Sequence, residues 1–252
     1  MLPVLVVVVV CLVSIGLAAV ALFRVPVAPP GEFRASAATD DGAGDRRPVA
    51  LFVGDSFTAG VGASASNRAW SCVAAQTLDW VCNRDAEGGT GFVNDGRSNQ
   101  PDFSPLPDRL DATAATYLAD VVVIDAGRND MQVDPTEVGA VADAYLARVR
   151  ERWPDAALVL IRPAFLGQVS GPDDVWGQTI LAQWDELAAR YGGVVLDPIA
   201  EQWVAPEEVD GFLSEDGVHP NDAGHERLAE RFVADVRRMG LADPPVTDRG
   251  PA

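Results

Sequence analysis

Val49-Ala50-Leu51-Phe52-Val53-Gly54-Asp55-Ser56-Phe57-Thr58-Ala59-Gly60 decides how this chain is read. Its unbroken apolar half reads as a buried strand. Gly54-Asp55-Ser56 then ends that run with residue types that favour a turn and a helix N-cap. A strand feeding such a turn leaves a serine hydroxyl beyond its carboxyl end, the side on which open α/β sheets bind ligands.

The same rhythm continues outward. Trp70, Val73, Ala74, Thr77 and Leu78 follow helical spacing, and Asp120 to Ala126 is a second buried strand that runs into Gly127-Arg128-Asn129-Asp130. Asp134-Pro135-Thr136-Glu137 starts a helix over Val138, Val141, Tyr145 and Val149, with Pro154 beyond its end. Ala157 to Ile161 is a strand. Ile180, Trp184, Leu187 and Tyr191 form another helical face closed by Gly192-Gly193, and Val194 to Leu196 is again a strand. A last helix, capped by Asn221 or Asp222, buries Leu228, Phe232 and Val236. Strands alternating with helices predict a parallel sheet covered on both faces, a three-layer α/β/α sandwich. Phe92 to Asp111, with Pro101, Pro105 and Pro107, reads as a long irregular stretch lining the pocket.

A serine hydroxyl is a weak nucleophile at neutral pH and needs an imidazole to take its proton, usually with a carboxylate to orient the ring. The chain has two histidines, His219 and His225. Asp216 precedes His219 by a span that one turn closes, so Asp216-Gly217-Val218-His219-Pro220 supplies a base and its orienter. His225 falls in the first turns of the last helix and reads as a structural residue on its solvent face. Asn129, projecting from a strand end, can donate an amide hydrogen to an oxyanion, and one of Gly88, Gly89 and Gly91 can add a backbone N–H. Singly, each of these segments is an ordinary turn, loop or cap; their order along the chain is what argues for chemistry. A metal site lacks a third histidine and any His-Glu-x-x-His motif. Adjacent Glu215 and Asp216 make a poor glycosidase pair. With no lysine in the chain there is no phosphate loop, and Ser56 does not stand in Gly-x-Ser-x-Gly.

These four blocks, Gly54 to Gly60, Gly88 to Gly91, Gly127 to Asp130 and Asp216 to Pro220, resemble those of the SGNH (GDSL-type) hydrolases and occur in that family's order across roughly residues 48 to 240. The resemblance implies a flavodoxin-like parallel sheet and a serine esterase acting on O-acyl esters without cofactor or metal. Carried over by position, it makes Ser56 the nucleophile, His219 the base and Asp216 its partner, with an oxyanion hole from the Ser56 N–H, Gly89 and Asn129. The glycine block matches loosely, so Gly88 and Gly91 stay open beside Gly89. Implied substrates are short-chain acyl or acetyl esters of glycans, lipids or small molecules. The opposing reading is an exported module of the same fold that binds acylated glycan without turnover.

At 252 residues and 48% hydrophobic, the chain suffices for one sizeable core. A net charge of −18 argues against nucleic acid as a partner. Leu2 to Phe23 is an uncharged apolar run long enough to cross a bilayer, so residues 1–24 read as a membrane anchor or signal helix, with Ala19-Val20-Ala21 resembling a cleavage site. Residues 25–47 read as a flexible linker, 48–242 as the catalytic domain and 243–252 as a disordered tail. The arginines that follow the apolar run argue for a cytoplasmic domain, whereas pairing of Cys72 with Cys82 argues for export. The expectation is a membrane-anchored or secreted extracytoplasmic enzyme.

Overall fold

The computed structural model describes residues 46–246. The expected anchor or signal helix at 1–24 lies outside the described residues, as do most of the linker and the end of the tail. Among the described residues no helix is long and apolar enough to cross a membrane.

Five strands form one parallel sheet: β1 (Val49–Gly54), β2 (Val81–Ala86), β3 (Val121–Asp125), β4 (Ala157–Ile161) and β5 (Gly193–Leu196), in the order β2-β1-β3-β4-β5. The helices between them are α1 (Ser56–Ala59), α2 (Trp70–Thr77), α3 (Leu106–Thr116), α4 (Pro135–Arg152), α5 (Val175–Tyr191) and α6 (Asp222–Arg238). The central strands read as continuous apolar runs because both their faces are covered. Leu51, Val53, Val122, Ile124, Leu158 and Leu160 point to one side, where Leu110 of α3, Tyr145 and Leu146 of α4 and Trp184 of α5 pack on them. Ala50, Phe52, Val121, Val123, Val159 and Ile161 point to the other, against Trp70 and Ala74 of α2 and Leu228, Phe232 and Val236 of α6. The period-2 alternation of strand side chains thus splits the core into two layers.

Two elements differ from the sequence expectation. β2 extends from Val81 through Asn83, Arg84 and Asp85 to Ala86, polar residues with no alternating pattern. As an edge strand it pairs only with β1. The stretch 92–111 is partly helical, since α3 starts at Leu106 with Pro105 as its N-cap and Pro107 in its first turn, where a missing N–H costs nothing. Nor does all of that stretch line a pocket: Phe92 is buried against Tyr145 and Trp184, with ring centroids 5.8 Å and 5.5 Å apart.

The chain leaves β1 toward β2 on one side and later returns to β3 on the other. The strand order therefore reverses between β1 and β3, the kind of switch point beyond whose carboxyl ends open α/β sheets bind ligands. The β1–β3 ladder ends at the pair Gly54 and Asp125. Gly54 has to be glycine, because a Cβ there would lie 2.5 Å from the Asp125 carbonyl oxygen. Ser56 follows one strand and Asn129 the other.

Candidate active site

Ser56 is the first residue of α1, a single turn capped by Asp55, whose Oδ1 accepts from the Phe57 N–H at 2.9 Å. Gly60 closes the turn in the left-handed region at φ 86°. The first N–H groups of a helix have no partner within it, and the Ser56 N–H is free among the described residues.

His219 and Asp216 lie on the turn that leads into α6. The Asp216 Oδ2 lies 2.6 Å from His219 Nδ1, while its Oδ1 accepts from the backbone N–H groups of Val218 (2.8 Å) and His219 (2.9 Å) and from the Ser214 hydroxyl (2.9 Å). Partial burial would raise the Asp216 carboxyl, but these donors outweigh it and hold the group well below the usual carboxylate range. With Nδ1 committed to Asp216, Nε2 is the nitrogen left to exchange protons. The imidazole packs against Phe57, centroids 5.7 Å apart, which brings it beside the residue that follows Ser56. No hydrogen bond joins Ser56 Oγ to His219.

Asn129 sits in a 3₁₀ turn, Arg128–Asp130, directly after β3. One of its amide hydrogens donates to the Thr90 carbonyl at 2.9 Å and the other is free among the described residues. That bond fastens the turn after β3 to the glycine block after β2. Within the block, Gly91 is occupied otherwise: its N–H donates to the Asn94 carbonyl at 2.9 Å, and a Cβ there would run into the Asp130 carboxylate. Gly89 adopts φ 80°, and a Cβ there would run into the Asn99 amide. Gly88 faces the serine, since a Cβ built on it would lie 3.7 Å from Ser56 Cβ. The N–H groups of Gly88 and Gly89 are both free among the described residues.

Three side chains that the sequence does not single out hold this arrangement. Asp130 accepts from the N–H groups of Phe92 (2.7 Å), Val93 (3.3 Å) and Asn94 (2.8 Å); burial raises its carboxyl, with these donors opposing. Arg109 of α3 is buried and donates to the Gly54 carbonyl (2.8 Å), Thr90 Oγ1 (3.1 Å) and the Ser104 carbonyl (2.7 Å), with Asp85 as its counter-ion at 2.8 Å. Arg128 is buried between Asp55 and Asp125. Asp130 and Arg128 stand in the Gly127-to-Asp130 block itself, while Arg109 lay in the stretch read as irregular.

His225 is structural, but it is fully buried rather than on a solvent face. Its Nδ1 accepts from the Trp70 N–H at 3.3 Å, and its Nε2 donates to the Val61 carbonyl at 3.1 Å. Next to Phe57, a cavity of about 20 Å³ lies between Trp203, Val204, Leu228 and Phe165. That is room for about one water and not for an acyl chain.

The site thus sets a serine after β1, a carboxylate-held histidine against Phe57 and an amide with a free hydrogen after β3. The GDSL-like Lipase/Acylhydrolase family matches residues 52–227. The chain belongs to that family. The hydrolase is 33% identical over 201 residues to the protein named GDSL lipase Rv0518 of Mycobacterium tuberculosis, covering 74% of this chain and 80% of the relative. Its fold is that of the SGNH esterases. A family two carbohydrate esterase from Clostridium thermocellum, solved with cellohexaose, superposes with a TM-score of 0.60 at 21% identity over 79% of this chain and 67% of that one. The carbohydrate acetylesterase Est24 of Sinorhizobium meliloti gives 0.55 at 16% identity, covering 77% of the hydrolase and 100% of the neighbour. The hydrolase is thus a carboxylic ester hydrolase of the SGNH/GDSL type.

Proposed function

We propose that this chain is a serine esterase that removes short acyl or acetyl groups from a glycan, lipid or small molecule through an acyl-enzyme intermediate. The observation that carries the reading is the 2.6 Å contact between Asp216 and His219 Nδ1 on a ring packed against Phe57. A histidine so held presents Nε2 as general base. Ser56 Oγ forms a bond to the ester carbonyl carbon as its proton passes to Nε2. The carbonyl π pair moves to oxygen, where the Ser56 and Gly88 N–H groups and the free Asn129 amide hydrogen receive it. We favour Gly88 over Gly89 because Gly88 faces Ser56. Collapse breaks the bond to the alcohol, which takes the proton from His219. Water repeats the attack, returning Ser56 and releasing the acid.

A glycan ester as substrate draws support from the names of the structural neighbours, a carbohydrate esterase and a carbohydrate acetylesterase. The disulfide between Cys72 and Cys82 supports work in an oxidising compartment, outside the cytoplasmic membrane. The apolar run Leu2 to Phe23 would deliver the domain there as an anchor or a removable signal.

The test is hydrolysis of p-nitrophenyl acetate, butyrate and octanoate by the full chain and its Ser56→Ala variant. Loss of at least about a thousandfold in kcat is expected for the variant. Undiminished hydrolysis would overturn the assignment. Labelling of Ser56 by a fluorophosphonate separates turnover from a module that only binds.

A further inference from the structure

The β1–β3 ladder fixes the spacing of the two strands only as far as Gly54 and Asp125. Ser56 and Asn129 both lie past that point, on turns with no ladder between them. A buried side chain takes over there. Arg128 Nη2 lies 2.7 Å from Asp125 Oδ1 and Nη1 lies 3.4 Å from Asp55 Oδ2. Its Nε donates to the Ala164 carbonyl at 2.6 Å, and its guanidinium carbon lies 4.4 Å from the centre of the Phe57 ring. Thr58 Oγ1 closes the set by donating to Asp125 Oδ2 at 2.9 Å. Asp55 directly precedes Ser56 and caps the turn that carries it; Arg128 directly precedes Asn129.

A guanidinium and two carboxylates are costly to bury, and well-packed apolar residues in their place are often at least as stable. Stability alone therefore gives little reason for the group. Its geometry does give one, because a planar fork can hold two carboxylates and a carbonyl in fixed directions, whereas an ammonium is a point charge.

We propose that Arg128 is a positioning residue: bridging Asp55 and Asp125, it sets the separation between the Ser56 N–H and the Asn129 amide, the two sides of the oxyanion site. The inference rests on the esterase reading above. It says that Arg128 acts through Asn129 and Ser56 without touching substrate, and that its loss appears in the transition state and not in binding.

Arg128→Lys keeps the charge and removes the fork. The expected result is a fall in kcat of about tenfold or more with KM within about twofold of the parent. When Arg128→Lys is combined with Asn129→Ala, the double variant is expected to be hardly slower than Asn129→Ala alone, because a positioning residue has nothing left to position. Asp55→Asn tests the same bridge from its other end, as it keeps an oxygen to cap the Phe57 N–H but loses the ion pair; the same pattern is expected and decides the matter if Arg128→Lys does not fold. Losses that multiply independently with Asn129→Ala, or a kcat within about twofold of the parent in the folded variants, would overturn the role. Ser56→Ala run alongside tests the esterase reading by itself. Full activity there overturns that reading, whereas lost activity there with an unaltered Arg128→Lys overturns the positioning role alone.

Discussion

Asn129 spends one amide hydrogen on the Thr90 carbonyl, at 2.9 Å, and keeps the other free. The first bond restrains the plane of the amide, and in the proposed oxyanion role that would hold the second N–H in place before charge develops, which is what makes such a donor effective. Asn129→Ala is expected to lower kcat by roughly a hundred to a thousandfold with little change in KM. A loss of only a few-fold in steady-state ester hydrolysis would remove Asn129 from the oxyanion site. At this scale the sequence was readable wherever the chemistry demands a residue type: Ser56, Asp216, His219 and Asn129 stand out because few side chains can carry those proposed roles. The glycine donor was not readable in the same way. Gly88, Gly89 and Gly91 are equivalent letters, and what separates them is which neighbour each one meets: Ser56, Asn99 or Asp130. Arg109 was hidden for a related reason, since its partners come from the ends of β1 and β2, the glycine block and the loop before α3.

Among the elements, the apolar central strands and the amphipathic helices α4, α5 and α6 follow directly from periodicity, because tertiary burial and local pattern agree there. Edge strand β2 does not, as one neighbour and half-exposed residues place few demands on its sequence. What holds it is partly covalent. Cys82 in β2 is bonded to Cys72 in α2, ten residues apart in sequence, with α-carbons 5.4 Å apart. Closing a loop of that length stabilises the fold by about 2–3 kcal/mol if the effect lies in the unfolded chain. Urea unfolding of the protein with and without dithiothreitol is expected to differ by that amount. Hydrogen exchange on the reduced form should show protection falling first in β2 while β3, paired on both sides, keeps it. Equal stability of the two forms would mean that the β1–β2 ladder suffices to hold the edge.

For the molecule as a whole, a few groups with shifts of opposite sign bear on stability against pH, in a chain that carries a net charge of −18. His225 is neutral in the fold, because Nδ1 accepts from Trp70 and Nε2 donates to Val61, and burial pushes its pKa below the ordinary histidine value. In the unfolded chain it titrates near pH 6.5. Between that value and its lower folded one the unfolded state binds more protons, so the contribution of His225 is complete above about pH 6.5 and is lost as the pH falls. Asp55 runs the other way. Burial raises its carboxyl to about 6, with Asp125 adding and Arg128 opposing, so between about pH 6 and pH 4 it is the folded state that takes up the extra proton and gains on acidification. Asp216, held low by its donors, contributes fully above the ordinary carboxylate range, and that contribution is lost progressively as the pH falls from that range toward its lower folded value. The two central groups can be separated by substitution. His225→Gln, whose amide can still donate to Val61 and accept from Trp70, is expected to show a shallower loss of urea stability than the parent below pH 6.5. Asp55→Asn is expected to show a steeper one between pH 6 and pH 4, because the compensating proton uptake is gone. Parallel curves for the parent and both variants would mean that these buried groups do not control the acid limb, and that protonation of surface carboxylates does.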